Sequence, residues 1–265
     1  MSNITYIFTS GRADKLNDKN YADDFFYGLR HLNKKFNVEI IEFKKKSKLL
    51  INIEHILSKA FSLPFYIFSL ISLENIKKIK NSDKLILISE STAFAVLPIL
   101  LFLKKKKNIQ VYLFVMGLYS KKLNYKFTSF IHHFLIKFLY KYVDKLFFLG
   151  NAEYGRALKL HGDERKLYFR PFCIDVSFWT TKNKSSKTRK KILFIGNDGN
   201  RDFDLLISIA SIMQDFKFTF VSSSSKLDSC KLTNVEIIKG DWSNGKFNDF
   251  FIKDIYEESD LVVLP

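Results

Sequence analysis

Residues 196–201 read Gly-Asn-Asp-Gly-Asn-Arg, between an apolar run and a helix-like one. Glycines allow close backbone approach to a ligand, amides at a helix start attract anions, and a guanidinium pairs with phosphate oxygens. Gly196, Asn197 and Arg201 are therefore candidates for holding a diphosphate, above all one that leaves with its charge. The ordinary alternative is an arginine paired with Asp202 or Asp204 at the helix start.

Other candidates are single residues. Gly11 precedes Arg12 in a loop that reads either as a phosphate-side loop or as a plain βα turn. Glu90 ends an apolar run beside Ser89, Ser91 and Thr92. A carboxylate there could contact hydroxyl groups or act as a base, whereas the serines could simply cap a helix. Gly117 closes another apolar run. His132 and His133 fall in the middle of a helix-like segment and read as packing residues. Cys173 and Cys230 make neither a disulfide framework nor a metal pair, and no metal-ligand cluster is visible. No metal and no resident cofactor are expected.

The elements that would carry these residues alternate between strand-like and helix-like. Strands are expected at residues 4–9, 38–43, 84–89, 110–115 and 145–149, with helices at 21–35, 51–80, 93–103 and 125–142. Such alternation predicts parallel βαβ units, whose ligands sit beyond the carboxyl ends of the strands. The polar stretch 180–190 reads as a linker. After it the pattern restarts, with strands at 191–195, 216–221, 235–238 and 261–264. The fold class is therefore α/β with two Rossmann-like domains. These are an N-terminal domain over 1–179 and a C-terminal one over 191–265, the latter expected to be incomplete because four strands leave a sheet edge and a packing face open.

Composition limits the partners. The 265 residues are 47% hydrophobic and 26% charged, a globular balance that excludes disorder. The formal net charge of +16 attracts phosphates. Seven of the 43 basic residues are Arg, and nucleic-acid readers favour Arg, so nucleic acid is not the expected partner. Neither a signal peptide nor a clean apolar run of about 20 residues is present, which points to the cytoplasm. Lys104, Lys105, Lys106 and Lys107 follow an apolar helix, and Lys121 and Lys122 precede one with an aromatic stripe of Phe127, Ile131, Phe134, Phe138 and Tyr142. Basic clusters beside aromatics are the sequence form of docking on an anionic membrane surface, here at the inner face of the cell membrane. The plain alternative is a stripe packed on the sheet with solvated lysines.

Three segments, in order, resemble the retaining glycosyltransferases of family 4, which have the GT-B fold. The first is Arg170, Pro171, Phe172, Cys173, Ile174 and Asp175, followed by Phe178, with Cys173 where the family has Gly. The second is the run 192–196, then Arg201 and Asp204-Leu205-Leu206, with a loop about one residue shorter than usual. The third is the run 235–240, then 255–265, similar to the family's Tyr, Ala-Asp, apolar strand and Pro signature. The resemblance implies transfer of a sugar from a nucleotide-diphosphate donor to a saccharide or lipid-linked acceptor in cell-envelope polysaccharide synthesis. It places Arg201 at the diphosphate, Gly11, Gly117, Gly196, Asn197 and Gly240 around the donor, and no bound metal. The His that many members carry after the fourth strand is replaced by Met116-Gly117. The family's glutamate pair would lie after Pro265, so weak or absent catalysis is expected of the 265 residues. The rivals are a sugar-nucleotide epimerase and a non-catalytic binding remnant.

Overall fold

The computed structural model describes residues 2–44, 46–120, 126–162, 164–180, 190–197, 201–240 and 247–265. They divide into two compact units. One comprises residues 1–17 and 23–173, the other 18–22 and 174–265. Of the expected linker, residues 181–189 lie outside the described residues.

The first unit is built on β1 (Asn3–Phe8), β2 (Asn37–Glu42), β3 (Lys84–Ile88), β4 (Gln110–Val115), β5 (Lys145–Phe148) and β6 (Leu167–Phe169). They form one sheet in the order β2-β1-β3-β4-β5-β6, and every adjacent pair is parallel. Parallel strands covered on both faces need continuous apolar runs. β1 has one, with Ile4, Tyr6, Ile7 and Phe8 all buried. The helices are α1 (Leu29–Asn33), α2 (Lys48–Phe61), α3 (Ile67–Leu70), α4 (Leu73–Asn81), α5 (Glu90–Leu103), α6 (Lys126–Tyr142) and α7 (Asn151–His161). α5 is apolar around its whole circumference, and ten of its residues are buried, so it forms the centre of its layer.

Three sequence expectations change here. The helix expected over 21–35 is a 3-10 turn at Asp23–Phe26 followed by α1. It breaks where Tyr27 and Gly28 take φ of 51° and 79°, left-handed backbone that a helix cannot continue through. The helical stretch 51–80 is three helices, interrupted by the loop containing Pro64. On α6 the buried stripe is His132, Ile136 and Leu139. The aromatic stripe lies further round: Phe138 and Tyr142 are partly buried while Phe134 is 58% exposed. The Phe127 side chain lies outside the described residues.

The second unit contains β7 (Lys191–Ile195), α8 (Phe203–Ile212), β8 (Lys217–Val221), β9 (Val235–Ile238), α9 (Asp249–Glu258) and β10 (Leu261–Val262). Its sheet has the order β10-β7-β8-β9, again parallel throughout. Phe194, Phe218 and Phe220 are buried against Phe203 and Leu206 of α8. On the opposite face Leu193 and Val221 meet Phe247, Phe251 and Ile255. Both sheets reverse their strand order once, between β1 and β3 and between β7 and β10. Ligands of such sheets enter at the reversal, beyond the carboxyl ends. Gly11 and Glu90 follow one pair of strands, and Gly196 follows β7.

Candidate functional site

At the carboxyl edge of the second sheet, β7 delivers Gly196 and Asn197. The Gly196 amide donates to the carbonyl of Val221 at 3.1 Å, which locks the loop to the end of β8. A Cβ on Gly196 would stand 3.2 Å from the Phe194 ring and 3.4 Å from Arg201 Nε. Glycine there lets the guanidinium stem lie against the backbone without pressing on the Phe194 ring. Asn197 joins all three neighbouring loops. Its amide nitrogen donates to Gly240 O at 2.9 Å, while its oxygen accepts from Ser222 Oγ at 3.0 Å and from the Ser223 amide at 2.6 Å. Asn197 and Gly240 thus shape the floor of the candidate site through each other. Asp202 caps α8 by accepting the Leu205 amide at 2.9 Å, and Asp204 lies 3.9 Å from Lys226. Residues 198–200 of this loop lie outside the described residues.

Replacing Asn197 with Ala removes three hydrogen bonds, the one to the Gly240 carbonyl among them. We expect a loss of about 1–3 kcal/mol, read as a lower urea midpoint with unchanged slope. An unchanged midpoint would remove Asn197 from this role.

At the carboxyl edge of the first sheet, Gly11 has φ of 73° and turns the chain back over the strand ends. The next two amides, of Arg12 and Ala13, both donate to Glu42 Oε1, at 2.5 and 3.0 Å. The Arg12 guanidinium lies over the rings of Phe8 and Phe25, at 4.9 and 4.6 Å, and its Nε donates to Phe25 O. Burial lowers its pKa, with Tyr27 and Glu42 opposing. The anion-attracting amides after Gly11 therefore already hold a carboxylate.

Glu90 follows β3 and turns inward, 8% exposed. Its Oε1 accepts the amides of Met116, at 2.5 Å, and Leu118, at 3.0 Å. Glu153 on α7, equally buried, takes the alternate amides: Gly117 at 3.1 Å to both oxygens, and Tyr119 at 2.8 Å. Four consecutive N–H groups after β4 are thus held by two carboxylates, and Gly117, with φ of 118°, allows the turn between them. Burial raises the Glu90 pKa, the nearby Glu153 adds to the rise, and the backbone amides oppose it. The helix cap that sequence offered as the alternative is absent: Ser89 makes no side-chain cap bond. Sequence reasoning missed Glu42 and Glu153. Their one visible signal is position, since each stands at or just beyond a strand's carboxyl end.

The lysine cluster lies at the other edge of the first sheet. Lys104 pairs with Asp144 at 2.7 Å, and Asp144 also accepts the Val111 amide near the start of β4. Lys107 donates to Ser82 O at 2.8 Å and lies 3.4 Å from Asp83. Both tie strand starts together, while Lys105 and Lys106 are exposed. Lys121 and Lys122 lie outside the described residues. Among the described residues, no helix is long and apolar enough to cross a membrane, and no three His, Cys, Asp or Glu side chains converge as metal ligands.

No protein-family model matches this chain, and no curated protein matches it in sequence. Solved structures match over almost all of its length. Sucrose-phosphate synthase from Thermosynechococcus elongatus aligns with a TM-score of 0.63 at 9% identity, covering 100% of this chain and 75% of that one. The complex of Staphylococcus aureus MnaA with UDP aligns at 0.56 and 10% identity, covering 99% and 73%. The lipopolysaccharide outer core galactosyltransferase WaaB aligns at 0.54 and 10% identity, also covering 99% and 73%. Two parallel α/β units in one chain, matched end to end by these proteins, give it the GT-B fold of Rossmann-like domains.

Proposed function

We propose that this protein is a glycosyltransferase of the family-4 type, moving a sugar from a nucleotide-diphosphate donor to a saccharide or lipid-linked acceptor in cell-envelope polysaccharide synthesis, with retained configuration. The carrying observation is the edge of the second sheet. There Asn197 fixes three loop ends, and Arg201 lies against Gly196 at the entry to α8. This arrangement suits a departing diphosphate, because a guanidinium and helix-start amides stabilise charge as it develops. Donor contacts are assigned to Gly196, Asn197, Arg201 and Gly240, with Gly11 and Gly117 shaping loops of the first unit. Glu90 orders the loop after β4 rather than acting as a base. The solved relatives support the reading: one holds UDP and another is named a galactosyltransferase.

We also assign the protein to the inner face of the cell membrane. Leu49, Ile56, Phe130 and Phe134 are 58–72% exposed on α2 and α6, beside Lys48, Lys59, Lys137 and Lys141. Apolar and basic groups together suit an anionic lipid surface.

The test is thermal shift with UDP, GDP, ADP and dTDP, followed by labelled sugar transfer from the matching donor to membrane saccharide. A saturable shift for one nucleotide with acceptor-dependent transfer is expected. A donor epimerised without acceptor would make the protein an epimerase, and donor binding without turnover would make it a binding module. The absence of any nucleotide shift at millimolar concentration would overturn the donor site.

A further inference from the structure

A cavity of about 280 Å³ opens in the first unit between α6, α7 and the loop after β4. Its walls are of two kinds. Leu118, Ile136 and Leu160 give it an apolar side, while Ser129, His133 and Arg156 give it a polar one. Among the described residues, no carboxylate lines it. The nearest on α7, Glu153, has both oxygens on the amides of Gly117 and Tyr119. Arg156 is exposed and approaches the Tyr119 carbonyl at 3.5 Å, too long and too weak a contact to neutralise it. His133 Nδ1 lies 2.7 Å from the Ser129 carbonyl, which fixes the proton on that nitrogen. The imidazolium form then has Nε2–H to donate. The Ser129 hydroxyl, 3.3 Å from the same ring, is the third polar group.

Three polar groups line the hollow: the Arg156 guanidinium, the His133 ring (a donor through Nε2 once protonated) and the Ser129 hydroxyl. With no carboxylate among the described lining residues, they suit an anion, and phosphate best matches an arginine fork with a neighbouring hydroxyl. The apolar wall asks for carbon next to that anion. We propose that this cavity binds a phosphate-bearing organic molecule, its phosphate between Arg156, His133 and Ser129, and its remaining atoms against Leu118, Ile136 and Leu160. Its described lining belongs to the first unit, and the proposal does not depend on the diphosphate site assigned to the second. Because Leu118 and Tyr119 belong to the loop that Glu90 and Glu153 hold, an occupant would bridge α6, α7 and that loop. The phosphate could be free in solution or carried on a lipid headgroup, and the chemistry is the same for both.

The experiment titrates the whole protein at pH 6 with inorganic phosphate and glycerol 3-phosphate by calorimetry. In parallel it measures sedimentation with phosphatidylglycerol and with phosphatidylcholine vesicles. Arg156→Gln and His133→Ala are compared with wild type, and a Lys34→Gln, Lys35→Gln pair removes more charge on exposed residues away from the cavity. Expected is saturable binding of glycerol 3-phosphate, tighter than inorganic phosphate, weakened about tenfold or more by either cavity variant and unchanged by the lysine pair. If instead only phosphatidylglycerol sedimentation falls in the cavity variants, the phosphate is carried on lipid and the site stands. Equal weakening by the lysine pair, or no loss in either cavity variant in either assay, overturns the proposal. Both cavity residues are exposed, so unchanged thermal midpoints are expected to certify folding.

Discussion

Replacing Glu153 with Ala lowers the thermal midpoint by roughly 6–12 °C, the larger of the stability effects expected in this protein. The Gly117 and Tyr119 amides both donate to this carboxylate and lose that acceptor once it is removed. A half-buried amide that loses its acceptor costs about 1–2 kcal/mol, so the pair costs about 3 kcal/mol. Glu90 cannot compensate, because its Oε1 already serves Met116 and Leu118. The same pair gives a dependence on pH. Burial holds the Glu90 pKa above the usual value of 4.5, and the negative Glu153 holds it higher still. Between 4.5 and the raised value the folded state binds more protons than the unfolded one. Stability contributed by the neutral form is thus present below that window and lost as pH rises through it. Glu90→Gln removes this loss. Its urea midpoint should match wild type near pH 4 and exceed it increasingly towards neutrality. Parallel midpoint curves, or a Glu153→Ala midpoint within 2 °C of wild type, would dissolve the two-carboxylate clamp.

The clamp also marks what the sequence could and could not announce. Strand and helix alternation was legible because apolar runs such as residues 85–88 and 111–115 are local facts. β6, three residues long, is too short for a period to register. The break at Tyr27 was illegible because a tyrosine gives no sign that its backbone will turn left-handed. Glu90 was noticed for standing at a strand end, yet its task is set by amides 26 and 28 residues away. The tetralysine run was legible as charge alone. Its division into two structural lysines and two exposed ones depends on Asp144 and Ser82, placed by the fold 40 and 25 residues from their partners. The loop it stands in marks Asn197 as a donor contact. The hydrogen bonds that make it a strut come from the ends of two other strands.

On the proposed donor site, Arg201→Gln is expected to lower the kcat of whatever transfer these residues carry out by about 10²–10³ at saturating donor, with a smaller loss of nucleotide affinity. The asymmetry follows from when the charge appears. In the ground state the diphosphate is bonded to the sugar, and its charge is shared with helix-start amides. As the glycosidic bond breaks, an additional negative charge collects on the departing oxygen, and a fixed cation stabilises that state more than the first. Arg201 is well placed to stay fixed. Its Nε lies close over the backbone of Gly196, where a Cβ would stand 3.4 Å from it, and Asp202 pins the start of α8 just beyond. Arg201→Lys keeps the charge but loses the planar fork, so it should recover activity to within about tenfold of wild type. Gly196→Ala, by pressing on the Phe194 ring and on Arg201 together, should imitate the glutamine variant without changing any charged group. A glutamine variant within twofold of wild-type kcat would mean that the diphosphate is neutralised elsewhere, and the donor site would have to be sought away from the end of β7.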